Sequence, residues 1–214
     1  MLGSVRDEQG RYVGRIRDTV QLPGAGALVQ KQLQYQTGFT LPPGRFWVKI
    51  VARENATGTI GTYEAPLVVP DLSTAPVKVS SIVVGTQIRR GAPRRANPDN
   101  PLVRGGVELI PSLTHVVARG QRLYFYYEVY DPAPGPQGAP SLRTSLAFYR
   151  GRVKVFETPV VDQTSLTGGS RGTAVFQFDV PAADLQPGLY TCQVNIIDEH
   201  AGTFVFPRLA VYVR

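Results

Sequence analysis

Leu185-Gln186-Pro187-Gly188-Leu189-Tyr190-Thr191-Cys192-Gln193-Val194-Asn195-Ile196-Ile197-Asp198 decides the fold of this 214-residue chain. After Pro-Gly, Tyr190, Cys192, Val194 and Ile196 alternate with Thr191, Gln193, Asn195 and Ile197. Successive strand residues point to opposite faces, so this period of two is that of a strand with one buried face. The same pattern stands 144 residues earlier, where Leu41-Pro42-Pro43-Gly44-Arg45-Phe46 leads into Phe46, Val48, Ile50 and Ala52. Pro-Gly fixes the turn before each strand, and the alternating hydrophobes fill half of a sandwich core.

The match runs on in both directions. Downstream, Glu54 answers Asp198, Gly58-Thr59 answers Gly202-Thr203, and Leu67-Val68-Val69 answers Val211-Tyr212-Val213. Upstream, Gly10-Arg11-Tyr12-Val13 resembles Gly151-Arg152-Val153-Lys154, and Asp18-Thr19 resembles Glu157-Thr158. The second copy has further strands before the shared half, near residues 77–87, 107–117 and 121–131, and the first copy has no counterpart for them. The expectation is an all-β chain of two tandem Ig-like or fibronectin-III-like β-sandwich units. Residues 1–72 would form a partial sandwich, incomplete at its N-terminus. Residues 73–214 would form a complete one with a long Arg/Pro-rich loop at 88–106. A first unit so built would leave an open edge and one core face uncovered. That favours either a longer parent protein or completion by another chain.

Period-two alternation also marks Leu123, Phe125, Tyr127 and Val129 against Tyr124, Tyr126, Glu128 and Tyr130. Hairpin tips are expected around Gly10, Gly58, Gly151 and Gly202, where a tight return needs φ > 0. The best helical candidates are residues 25–32 and a single turn at 181–185. Residues 69–76 read as the domain boundary, and the proline-rich 132–140 as a loop outside the sheets.

Composition supports a packed core, with 43% hydrophobic and only 18% charged residues. The net charge of +7 is concentrated in residues 73–140, which hold 8 basic and 4 acidic groups. Four of the basic groups are Arg89, Arg90, Arg94 and Arg95, a loop suited to phosphate or an acidic surface. The plainer reading is a solvated loop. The single cysteine, Cys192, excludes a disulfide within the chain and reads as a small core hydrophobe. No segment is long and apolar enough to span a membrane, and the first residues carry no apolar signal core.

The chemical inventory is thin. His115 and His200 are the only histidines, and no serine sits in a nucleophile elbow. Asp198-Glu199-His200 offers three ligand types in a row, but adjacent strand positions diverge, so a polar turn is the plainer reading. Gly168-Gly169-Ser170-Arg171-Gly172 lacks the Lys-Ser/Thr ending of a phosphate loop. The sequence points to no enzyme, metal or cofactor. Tyr124, Tyr126 and Tyr130 lie opposite the better core face and offer an aromatic strip for sugar or protein. The alternative is that they pack beneath the 89–106 loop.

Three stretches resemble the C-terminal β-sandwich region of the von Willebrand factor A-related proteins of Acidobacteria. They are Tyr35-Gln36-Thr37-Gly38-Phe39-Thr40 with the following Leu41–Phe46, Leu123 to Pro132, and Pro187 to Val194. The resemblance implies an exported bacterial multidomain protein, secreted, periplasmic or at the cell surface. The metal site of an A domain is absent from this chain, since the nearest run, Asp162-Gln163-Thr164-Ser165-Leu166, breaks its Asp-x-Ser-x-Ser pattern. The leading expectation is a non-catalytic structural or protein-interaction module, binding a protein partner or itself through the open edge. A carbohydrate-binding module using the tyrosines is second, and nucleic-acid binding through the arginine loop is third and weakest.

Overall fold

Alternating sequence becomes strand in both halves of the chain. The computed structural model describes residues 1–20, 35–91, 100–166 and 172–214. The helical candidate at 25–32, Arg94, Arg95 and most of the glycine run at 168–172 lie outside them. The chain divides into two compact units, Met1–Asp71 and Leu72–Arg214.

The first unit is one antiparallel sheet of four strands: β1 (Leu2–Asp7), β2 (Tyr12–Arg17), β3 (Gly44–Arg53) and β4 (Ile60–Val69), in the order β2-β1-β3-β4. Among its described residues, Val5, Ile16 and Phe46 are the buried hydrophobic ones.

The second unit is a two-sheet sandwich. Its strands are β5 (Lys78–Val79), β6 (Val83–Arg90), β7 (Val103–Arg104), β8 (Val107–Pro111), β9 (Val116–Val117), β10 (Arg122–Tyr130), β11 (Leu142–Arg150), β12 (Val153–Glu157), β13 (Val161–Gln163), β14 (Thr173–Pro181), β15 (Gly188–Asp198), β16 (Thr203–Val205) and β17 (Arg208–Val213). One sheet runs β14-β10-β6-β8-β7 with β5 beside β10. The other runs β12-β11-β15-β17-β9 with β13 on β11 and β16 on β15. The alternate residues of β10, β14, β11 and β15 meet between them. Phe125 packs edge-on to Phe148 with ring centroids 6.1 Å apart, and Tyr127 stacks on Phe176 at 5.2 Å. The Tyr127 hydroxyl is hydrogen-bonded to Thr144 Oγ1 of the other sheet, which keeps a buried polar group satisfied. Residues 182–184 form a single 3-10 turn.

One expected strand, 107–117, is broken. β8 ends at Pro111, the Ser112 hydroxyl accepts the His115 N–H, and His115 takes φ 52°. The chain thereby leaves one sheet and joins the other, where β9 pairs with β17 in parallel. The expected strand at 77–87 is likewise interrupted between β5 and β6.

The internal repeat is a repeat of structure. The order β2-β1-β3-β4 corresponds to β12-β11-β15-β17. Phe46 and Val48 oppose Leu67 and Ala65, as Tyr190 and Cys192 oppose Val211 and Leu209. Even the β-bulge recurs: the register slips between Val5 and Arg6 against β2, and between Phe148 and Tyr149 against β12. Bulges re-aim a strand locally, so a shared one sets the same twist in both sheets. The glycines that open β3 and β15 match too, with φ 152° at Gly44 and 143° at Gly188, a region side chains avoid.

Candidate functional site

The first unit presents the face that forms the core in the second. In β15, Tyr190, Cys192, Val194 and Ile196 are fully or almost fully buried, and so is Val211 beside them. In the first unit Phe46 is buried, but Val48 and Ile50 are half-buried and Ala52 is exposed. Leu67 is 37% exposed, whereas its counterpart Val211 is 0% exposed, and Tyr63, opposite Ile50, is 66% exposed. The β1–β2 half of the same face closes on itself. Gly3 and Gly14 stand where the second unit has Leu146 and Phe156, and a Cβ there would meet Ile16 at 2.7 Å and Phe39 at 2.9 Å. Ile16 and Phe39 thus fill the space those glycines leave. The open part is the β3–β4 half: Val48, Ile50, Tyr63, Ala65 and Leu67.

Tyr124, Tyr126 and Tyr130 do point to the outer face of the β10 sheet, but they do not form an open strip. Tyr126 is 3% exposed and clusters with Leu102 and Leu109, while Tyr124 and Tyr130 are half-buried. The segment around Leu102 folds over this face because its own apolar side chains need cover. The Tyr126 hydroxyl donates to Glu128, and burial, then that carboxylate, pushes its pKa up. Arg104 lies over the Tyr126 ring, with its guanidinium carbon 5.9 Å from the centroid. Beside Tyr124 a cavity of about 300 Å³ is lined by Ile88, Leu102, Arg104, Val107 and Asp179. Its charges are already paired, Arg104 with Glu128 at 3.4 Å and Asp179 with Arg122 at 2.5 Å.

Of the arginine loop, Arg89 pairs with Glu108 at 3.0 Å across β6 and β8, and Arg90 is exposed at the end of β6. Arg94 and Arg95 lie outside the described residues. Cys192 is wholly buried in mid-strand, and burial pushes its thiol pKa far up, which suppresses the thiolate that reactivity needs. Asp198, Glu199 and His200 diverge. Asp198 is buried and accepts the N–H groups of Ala133 and Ala201, Glu199 accepts from Ser141 and Arg143, and the His200 ring packs against Gly135. Asp162 pairs with Arg143 at 3.0 Å. Among the described residues no group of three acidic, His or Cys side chains is placed to hold a metal ion.

A surface not singled out from the sequence lies on the outer face of the β11–β15 sheet. Six side chains there form one hydrogen-bonded row across four strands. Arg208 donates to Gln193 (2.8 Å), Gln193 to Asn195 (2.7 Å) and Asn195 to Ser145 (3.0 Å). Ser145 donates to Glu157 at 3.1 Å, and Lys154 reaches its other oxygen at 2.5 Å. The Lys154 ammonium holds the Glu157 carboxyl below its usual range. An apolar margin runs beside the row: Val160, Ile197, and the stacked rings of Phe204 and Phe206, 5.1 Å apart. The signal was in the outward positions of β15, Gln193 and Asn195, but the partners on β11 and β12 come from 38 to 50 residues away.

No protein-family model and no curated protein matches the chain. No helix among the described residues is long and apolar enough to cross a membrane.

Proposed function

We propose that this chain is a non-catalytic protein-interaction module whose first unit is a half-sandwich that receives a β-sheet from another polypeptide. One observation carries the reading. Both units have the same four-strand sheet, with the same order and bulge, yet among the described residues only the second has a covering sheet, and Leu67 is exposed where its counterpart Val211 is buried, with Tyr63 exposed beside it. A face already shaped as a sandwich interior needs little rearrangement to bind, which lowers the cost of association. The occupant is of the kind that covers β11 and β15 in the second unit: a sheet with an alternating face of aromatic and branched residues.

The second unit reads as Ig-like. Strands β6-β10-β14 opposite β12-β11-β15-β17 follow the A-B-E and C′-C-F-G orders of that architecture. Tyr190 stands where such domains place a tyrosine corner: its hydroxyl donates to the Gln186 carbonyl at 2.5 Å, two residues before Cys192. On the likeness of Tyr35–Phe46, Leu123–Pro132 and Pro187–Val194 alone, we further propose that the chain is related to exported bacterial proteins carrying von Willebrand A domains, which would give an interaction module an extracellular setting.

Sedimentation velocity of the full chain over a range of concentrations, with a dye that fluoresces on apolar surface, tests the docking face. The wild-type chain is expected to light the dye or to self-associate, and the double substitution Tyr63→Arg with Leu67→Arg is expected to abolish whichever occurs. A dye-dark monomer contradicts the reading.

A further inference from the structure

We propose that the outer face of β11, β12, β15 and β17 is a binding site for an uncharged polysaccharide, with the Arg208–Gln193–Asn195–Ser145–Glu157–Lys154 row as its floor and Phe204 and Phe206 at its margin. The site lies on the second unit and stands independently of the docking face.

Sugar hydroxyls donate and accept at once, so a site for them needs donors and acceptors side by side on planar groups that keep their orientation. The row supplies guanidinium, two amides, a hydroxyl and a carboxylate in sequence, each held by its neighbour. Ser145 is 4% exposed, so the middle of the row is anchored in the sheet rather than waving in solvent. Each amide still has capacity to spare, since a side-chain amide has two donor hydrogens and an acceptor oxygen with two lone pairs. Pre-set polar groups of this kind save the ordering cost that flexible surface side chains incur on binding.

The direction of the row also fits a chain ligand. It crosses the strands, and neighbouring strands lie about 4.8 Å apart, close to the length of one pyranose ring. Successive sugars of an extended polysaccharide would therefore meet successive strands.

The apolar margin supplies the second requirement. Phe204 is 59% and Phe206 41% exposed, and Phe206 with Ile197 and Val160 lines a groove of about 400 Å³ over Ser145 and Asn195, with Phe204 stacked on Phe206 beside it. The C–H face of a sugar packs on such rings. Charge in the groove weighs against an anionic ligand: Lys154 is matched by Glu157, and Arg143 by Asp162 and Glu199. The row's other cation, Arg208, has its Nε on Gln193 and lies outside the groove lining.

Affinity electrophoresis of the full chain through gels holding mixed-linkage β-glucan, xyloglucan, mannan or a polyuronate tests the site. At least one neutral polymer is expected to retard the wild-type chain, and the polyuronate is not. Asn195→Ala and Phe206→Ala should each weaken retardation roughly tenfold, the effect of losing one such contact. Tyr124→Ala should match the wild type. Phe204→Ser, at an exposed position, guards against a folding defect, and thermal melts verify each variant. Lack of retardation by every neutral polymer overturns the proposal and leaves this face to a protein partner. So does retardation that the Asn195, Phe204 and Phe206 changes leave intact.

Discussion

Tyr190 shows how one atom separates two otherwise matching positions. Its ring fills the sandwich core, and its hydroxyl closes the turn by donating to Gln186, with Arg150 also bound to that oxygen at 2.9 Å. Phe46 occupies the matching place in the first unit and has the ring without the hydroxyl. Removing a satisfied, mostly buried hydroxyl costs on the order of 1 kcal/mol, more where a charged donor loses its acceptor. Tyr190→Phe is therefore expected to lower the stability of the second unit by about 1–2 kcal/mol without changing its fold, measured as a shifted urea midpoint at unchanged slope. The pair Tyr190 and Cys192 was plain in the sequence as alternation. Its corner role was not, because the acceptor is a backbone carbonyl, which no side-chain pattern encodes. Tyr126 marks the opposite limit. Alternation places it on the outer face, where it lies, but only the fold reveals that Leu102 and Leu109 come back to cover it.

At the scale of strands and turns, the sheets were legible wherever period two ran unbroken, as in β3, β10 and β15. The break within 107–117 was not, since a chain that switches sheets keeps its apolar character on both sides of the switch. The glycine substitutions between the repeats have a physical counterpart as well. Gly14 stands where Phe156 does, and the missing ring is supplied by Phe39 from outside the strand. Phe39→Ala is accordingly expected to destabilise the first unit by about 2 kcal/mol, roughly half the cost of emptying a fully buried phenylalanine site. The loss should appear as faster hydrogen exchange in β1 and β2, with exchange in β10 and β15 unchanged. Uniform acceleration across both units would contradict the assignment of Phe39 to the first sheet.

Over the whole molecule, the two units share one sheet design and differ in what lies on it. The second buries a continuous core between two layers, and the first has three buried hydrophobic side chains among its described residues. Burying a large aliphatic or aromatic side chain contributes about 1.5–3 kcal/mol, so the first unit has much to gain from a covering layer. That difference is the central claim, and hydroxyl-radical footprinting of the isolated chain in dilute solution tests it most directly. Tyr63 and Leu67 are expected to be labelled quickly, while Tyr190 and Val211, on the matching face of the second unit, stay protected. Equal protection of Tyr63 and Tyr190 in the lone monomer would contradict the account.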